Sequence, residues 1–131
     1  MKRKPWIILA TMAVGLLVIA GSVSAHHAGA NYDRTHVITL SGTVTEYHFI
    51  NPHVQIYFEV KDAQGSIAKW VAVADPPQRL YKRGWTKTSL KPGDQITVNG
   101  GPRKDGTPEI DIYRVEELVV NGKKPFAGRA E

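Results

Sequence analysis

The feature that most constrains the fold is a series of short β-rich segments separated by turn residues. The clearest lies at residues 54–60, where apolar Val54, Ile56 and Phe58 alternate with Gln, Tyr and Glu. A period of two is the pattern of a strand that buries one face. Similar runs at residues 37–50 and 67–74 predict two partner strands, so we expect a three-stranded meander.

The second half of the sequence adds one helix and two more strands. Residues 78–85 follow two consecutive prolines and predict a short helix with Leu80 and Tyr81 facing inward. Runs at residues 90–100 and 109–120 predict the fourth and fifth strands. This order is that of the small five-stranded Greek-key barrel called the oligonucleotide/oligosaccharide-binding (OB) fold, with one short helix between strands 3 and 4. An immunoglobulin-like sandwich is the alternative, but it usually needs seven strands.

The first strand is expected to contain a bulge. Val44 and Phe49 lie an odd number of positions apart, so a regular strand would direct them to opposite faces of the sheet. One extra residue near residues 46–48 would let both side chains face the core.

The N-terminal 25 residues have the composition of a secretory signal peptide. Three basic residues at positions 2–4 precede an uncharged apolar run at residues 6–20, and Val23 and Ala25 suit a cleavage site. The alternative is an uncleaved membrane anchor, because the apolar character approaches the length of a span. We expect cleavage, a periplasmic or secreted protein, and no stable membrane anchor after cleavage.

The predicted organisation is a signal peptide at residues 1–25, an irregular segment at 26–35, a β-barrel domain at 36–120 and a polar tail at 121–131. The formal net charge of +5 falls to +2 once the three basic residues of the signal peptide are removed. So small a charge, in an exported protein, argues against a nucleic-acid partner. The sequence has no cysteine, so it has no disulfide framework and no thiolate metal ligand.

All five histidines lie between residues 26 and 53. Cleavage after Ala25 would place the α-amino group of His26 beside its own imidazole, and these two nitrogens can chelate Cu(II). A third nitrogen would come from another histidine, so the candidate copper ligands are His26, His27, His36 and His53, with His48 as a further source. Two alternatives stay open: a solvated terminus that binds no metal, and cleavage after Ala30, which would discard both terminal histidines.

The loop between the first two strands is a second candidate site. Asn51-Pro52-His53 predicts a turn, because proline cannot donate to a strand ladder. This loop is a place where OB folds bind ligands, so Asn51, His53 and Tyr57 are candidate ligand contacts. Alternatively, His53 only orients the turn by hydrogen bonding to backbone carbonyls.

The sequence contains no recognisable nucleophile motif, phosphate loop, dinucleotide fingerprint or calcium loop. We therefore predict no catalytic residues and no enzymatic activity, with a copper-dependent oxidative enzyme as a minor alternative. Aromatic side chains beside the basic residues at 79–87 would suit single-strand binding. We expect instead that this basic cluster is the solvated face of the helix.

Four segments together resemble a family of small exported bacterial proteins known as domain of unknown function 6152. They are the His26-His27 pair, LSGTVTEYHFINPHV at residues 40–54, KRGW at 82–85 and LKPGDQITVNGGPRKDG at 90–106. The resemblance implies an exported β-barrel of unsettled activity and supplies no catalytic residues. We predict an exported, non-enzymatic binding or accessory protein that holds copper through its N-terminal histidines. The alternative is a small-ligand or protein-binding module without metal.

Overall fold

The computed structural model describes residues 28–127. The predicted signal peptide, His26 and His27 lie outside the described residues, as do residues 128–131. The chain divides into two units, Met1–Ala30 and Asn31–Glu131, and the strands and the α-helix found among residues 28–127 belong to the second. Within residues 28–127, no helix is long and apolar enough to cross a membrane.

Between Asn31 and residue 127, six strands and one α-helix succeed one another along the chain. They are β1 (Ile38–His48), β2 (Gln55–Lys61), β3 (Ile67–Val73), α1 (Pro77–Lys82), β4 (Gln95–Pro102), β5 (Glu109–Ile112) and β6 (Val119–Val120). Short 3-10 turns lie at Ala28–Asn31 and Val115–Glu117.

The strands form a closed barrel. Hydrogen-bonded neighbours follow the order β1-β2-β3-β5-β4-β6, and an additional pairing of β1 with β4 closes the sheet on itself. All pairings are antiparallel except β3 with β5, which is parallel. With α1 between β3 and β4, this is the architecture of the OB fold. The fold class predicted from the sequence is confirmed.

Alternating side chains of the strands fill the barrel, as the period of two predicts. Val54, Ile56 and Phe58 are buried. The helix α1 contributes Leu80, which is fully buried, whereas Tyr81 is 68 % exposed. The prediction that both face inward is wrong for Tyr81, because consecutive residues on a helix point about 100° apart and a helix this short buries one narrow stripe.

The predicted bulge in β1 is present and lies slightly earlier than expected. The register with β2 shifts between Val44 and Glu46, so Thr45 is the extra residue. Val44 is 1 % exposed, and Phe49 packs against the core. A bulge increases the local bend and twist of its strand. This bulge lies just before the last residues of β1, which no longer run beside β4.

The predicted fifth strand is divided in two, which corrects the sequence-based boundaries. Ile112 of β5 pairs with Gly100, and Val119 of β6 pairs with Thr97 of the same strand. A continuous strand would place Val115 opposite Thr97, so four extra residues are accommodated in the 3-10 turn between β5 and β6. That turn buries Val115 and Leu118 at 1 % exposure each, and their burial explains why the apolar pattern looked like one strand.

The described part of the predicted polar tail contributes an aromatic ring to the core. Phe126 is 5 % exposed and stacks on Trp85, with ring centroids 4.2 Å apart and planes at 20°. Trp85 is itself fully buried. The segment after β6 is therefore held to the barrel core through Phe126.

Candidate ligand-binding groove

The residues predicted for the first strand-to-strand loop have different neighbours in the structure. Asn51 is exposed, and its peptide bond to Pro52 is cis. His53 is half-buried and acts electrostatically on Asp111. Tyr57 packs against the ring of His48, with centroids 5.0 Å apart. The structure therefore associates Tyr57 with β1, and His53 with the β5 side of the barrel.

Asp111 is a largely desolvated carboxylate near His53. Burial raises its pKa, while the charges of Arg34 and His53 oppose that rise and Asp75 adds to it. The Arg34 guanidinium lies 3.7 Å from the Asp111 carboxylate. His53 thus belongs to a mixed cluster of charges in which Asp111 already has a cationic partner.

The histidines of the described part do not form a metal centre. Among residues 28–127, no three His, Cys, Asp or Glu side chains come together in a way that could hold a metal ion. His36 is exposed and forms a backbone hydrogen bond to Asp33. Because His26 and His27 lie outside the described residues, the copper site stays a prediction.

The chain itself occupies part of the barrel surface near β5. Tyr32 is buried, and its hydroxyl donates to the Glu109 carboxylate. The Tyr113 hydroxyl donates to the carbonyl of Asp33 over 3.0 Å. These contacts fasten residues 32–34 across β5, so this part of the surface is less accessible to a ligand.

An open groove of about 520 Å³ lies on another side of the barrel, along the last residues of β1. We call it the β1 groove. One wall is the end of β1 and the other is the loop between α1 and β4, and the lining residues are Thr45, Glu46, Tyr47, His48, Lys87, Thr88, Leu90, Lys91 and Pro92.

The β1 wall of the groove carries an acid–histidine pair. Glu46 and His48 lie two residues apart on one face of the strand, and His48 Nε2 is 2.9 Å from a Glu46 carboxylate oxygen. Both side chains keep access to solvent, with exposed fractions of 62 % for Glu46 and 39 % for His48. The Tyr57 ring supports His48 from β2, so the wall has a fixed polar surface.

The loop wall is fixed to the barrel by a buried carboxylate. Asp94 accepts hydrogen bonds from the Lys91 backbone N–H and from Lys91 Nζ, each at 2.9 Å, and from Asn121 Nδ2 at 3.0 Å. These bonds, with that of the Lys91 side chain foremost, lower the pKa of Asp94. The backbone of Val44 adds two hydrogen bonds to residues 93 and 94.

The floor of the groove is largely apolar. Leu90 is 4 % exposed, and the half-buried Tyr47 ring lines the groove with it. The Tyr47 hydroxyl donates to the carbonyl of Thr86 over 3.0 Å, and burial raises the pKa of this phenol. The ring therefore stays neutral and ties β1 to the start of the loop wall.

The groove was not predicted from the sequence. Lys87 was assigned to a solvated basic cluster, and Lys91 lies in the run at residues 90–100 from which the fourth strand was predicted. His48 was named only as a further source of a copper ligand, and the structure places its Nε2 2.9 Å from a Glu46 carboxylate oxygen. The missing information was spatial, because the loop wall and the end of β1 are separated by about forty residues of sequence and meet only through the barrel.

A family model described as a family of unknown function, DUF6152, matches residues 13–110. That match covers most of the chain. The chain belongs to this family. The resemblance found in the four sequence segments is therefore confirmed, and a comparison with curated proteins finds no match.

Solved structures with a similar arrangement of strands include three proteins of low sequence identity. A small single-stranded DNA-binding protein from Streptomyces coelicolor is 18 % identical, with a TM-score of 0.45 over 65 % of this chain and 90 % of that one. The N-terminal domain of PriB from Thermoanaerobacter tencongensis is 18 % identical, with a TM-score of 0.42 over 64 % and 93 %. A TiaS structure solved with tRNA and ATP is 22 % identical, with a TM-score of 0.43 over 68 % of this chain and 19 % of that one.

These comparisons correct the prediction that the protein has no nucleic-acid partner. Proteins with a similar arrangement of strands include a single-stranded DNA-binding protein, so the exclusion is contradicted. The prediction rested on the expected export and on the net charge of the whole chain without its predicted signal peptide. Single-strand binding by OB folds depends on the local charge of a groove and on stacking rings, which net charge does not report.

Proposed function

We propose that this member of the family is an exported, non-enzymatic binding protein and that its ligand lies in the β1 groove. The observation that carries the proposal is the groove itself, an open concavity of about 520 Å³ with an apolar floor and charged walls. Ligand sites of proteins combine apolar surface with a few polar groups that fix orientation. The groove has both, on walls held by hydrogen bonds.

The charges of the groove favour a ligand with an anionic group. Lys87 is exposed and forms no ion pair with any residue of the described range 28–127. Lys91 is bonded to Asp94 on its inner side, yet its side chain remains 76 % exposed. Across the groove, a Glu46 carboxylate oxygen lies 2.9 Å from His48 Nε2. An amphipathic ligand would place its anionic end at the two lysines and its apolar part over Leu90.

Ligand-observed NMR on the processed protein tests the proposal with a panel of chemically different probes. The probes are acetylated dipeptides, short dicarboxylates, disaccharides and a short oligothymidylate. We expect the probes that bind to be anionic, and we expect Lys87→Glu to weaken them by about tenfold, because it reverses a charge at the site.

Lys61→Glu is the matched control, because Lys61 is an exposed lysine of β2 that does not line the groove. Its effect on binding is expected to be within about twofold, since exposed charges beyond a Debye length are screened. Equal weakening by both variants would mean a general charge effect and would refute the assignment of the site.

Export is part of the proposal and is supported by the N-terminal composition. A basic start, an apolar run and small residues at positions 23 and 25 are the features that signal processing requires. The mass of the protein recovered from the periplasm or medium is expected to match a chain that begins at His26. Recovery of the full-length mass in the membrane fraction would contradict this part.

A further inference from the structure

The backbone at the end of β1 has one unpaired side, and the hydrogen-bond pattern of the barrel shows which residue faces it. Val71 of β3 donates its N–H to the carbonyl of Pro108, towards β5. Peptide groups alternate in direction along a strand, so Ala72 directs its groups towards β2 and its partner Ile56.

The same alternation continues from β2 to β1. Since Ile56 bonds to β3, its neighbours Gln55 and Tyr57 bond to β1, where they pair with His48 and Glu46. Tyr47 lies between those two residues, so its N–H and C=O point away from β2. Its peptide groups therefore face the side on which the groove lies.

Val44 shows the same direction of peptide groups within the same strand. Like Tyr47, it stands opposite an even-numbered residue of β2, Phe58. Its N–H donates to the Asp94 carbonyl and its C=O accepts from the Gly93 N–H, each at 2.8 Å. Beyond Val44, the loop diverges, and no backbone hydrogen bond joins Tyr47 to residues 86–94 in the described structure.

The groove thus lies beside an open strand edge. Pairing of β1 with β4 ends at Thr43 opposite Gln95, and the loop wall stands off from the strand and leaves the groove between them. An exposed edge with unpaired N–H and C=O groups is a template for another extended chain.

We propose that the ligand of the β1 groove is an extended, acidic peptide segment that adds to β1 by pairing with the backbone of Tyr47. This inference rests on the proposed function and specifies its ligand. The peptide backbone would bond to the N–H and C=O of Tyr47, one apolar side chain would cover Leu90, and one carboxylate would reach Lys87. Alternation of side chains along the peptide allows the last two contacts from one face of the strand.

The test uses acetylated pentapeptides of alternating valine and threonine, each with one aspartate at a different position. A matched set carries lysine in place of aspartate, and a third set carries an N-methyl group on one backbone nitrogen at a time. A short oligothymidylate and a disaccharide are the comparison ligands. Binding is followed on the processed protein by amide chemical shifts and by hydrogen exchange at Tyr47.

Strand addition predicts three results together. The best aspartate peptide binds about tenfold more tightly than its lysine counterpart, and Lys87→Glu reverses that preference. An N-methyl group at the pairing position weakens binding by about tenfold, since it removes a donor and blocks close approach. Hydrogen exchange at the Tyr47 amide slows on binding, whereas that of Tyr57, which already bonds to β1, does not change.

Three outcomes would overturn the inference and are distinguishable from failure of the proposed function. If anionic small molecules shift the groove amides but no peptide does, or if every N-methylated peptide binds as well as its parent, the groove is a site but strand addition is wrong. If the oligothymidylate or the disaccharide binds the groove more tightly than all peptides, the ligand class is wrong. If no probe shifts the groove amides, the proposed function itself fails.

Discussion

Removing the Phe126 ring is expected to destabilise the barrel, although the sequence around it is polar. The ring is 5 % exposed and stacked on Trp85 at 4.2 Å. A buried phenylalanine removes about 200 Å² from water, which at about 25 cal/mol per Å² gives about 5 kcal/mol as an upper limit.

The net loss in Phe126→Ala should be smaller than that limit. Once the ring is gone, the segment that carries it can leave the barrel, and each residue that becomes free regains about 1–2 kcal/mol of backbone entropy. With about one or two residues released, we expect the free energy of unfolding to fall by about 1–4 kcal/mol. This remains within the range measured for large-to-small substitutions in cores.

Urea unfolding followed by far-ultraviolet circular dichroism measures this change. The control is Lys124→Ala in the same segment, where the side chain is exposed and the expected change is within about 0.5 kcal/mol. A loss below about 1 kcal/mol for Phe126→Ala, or equal losses for the two variants, would refute the conclusion that this ring belongs to the core.

Two further substitutions and one titration test other contacts of the barrel and the copper prediction. Asp94→Ala removes three hydrogen bonds and should lower the free energy of unfolding by about 2–4 kcal/mol at neutral pH. The fold lowers the pKa of this carboxyl from its ordinary value of 3.8. The stabilisation is therefore fully present above pH 3.8 and shrinks as the pH falls below that value. A difference between wild type and variant that stays constant in urea titrations down to acid pH would count against this. Gly101→Ala places a Cβ closer to the Tyr113 hydroxyl and the Asp33 carbonyl oxygen than van der Waals contact allows, and should cost about 1–3 kcal/mol of stability. Adding Tyr113→Phe removes the clashing hydroxyl and should recover part of that loss. If the losses of the two single variants simply add in the double variant, the clash is not the cause. Calorimetric titration of the processed protein with Cu(II) should give tighter binding than a variant with one extra alanine before His26, and identical binding by the two would exclude a copper site that uses the amino terminus.

The elements that the sequence predicted correctly are those whose pattern is set by neighbouring residues of the same strand. The alternation of Val54, Ile56 and Phe58 identified β2 because one face of that strand packs on the core. The bulge in β1 was predictable because Val44 and Phe49 have incompatible parity in a regular strand.

The elements that were mispredicted depend on tertiary packing. Val115 and Leu118 are apolar because their turn is buried between β5 and β6, and a run of apolar residues does not reveal whether it is extended or turned. Phe126 looked like part of a polar tail because its partner Trp85 lies about forty residues earlier in the sequence.

The candidate site was less accessible from the sequence than the fold. Motif and loop arguments selected Asn51, His53 and Tyr57. Of these, Tyr57 contacts the groove residue His48. The lysines of the groove have no sequence signature, because an exposed lysine on a turn is usually only solvated. These lysines matter because they lie opposite an open strand edge. Only the strand pairing of the barrel shows where that edge is.

The location of the ligand in the β1 groove is tested most directly by a map of amide chemical shifts. A ¹⁵N–¹H correlation spectrum of the processed protein would be recorded with and without the tightest probe. We predict that the largest shifts occur at residues 45–48 and 87–91, with little change at residues 103–108 of the loop between β4 and β5. Largest shifts at residues 103–108, or on the outer face of β3, would contradict this location.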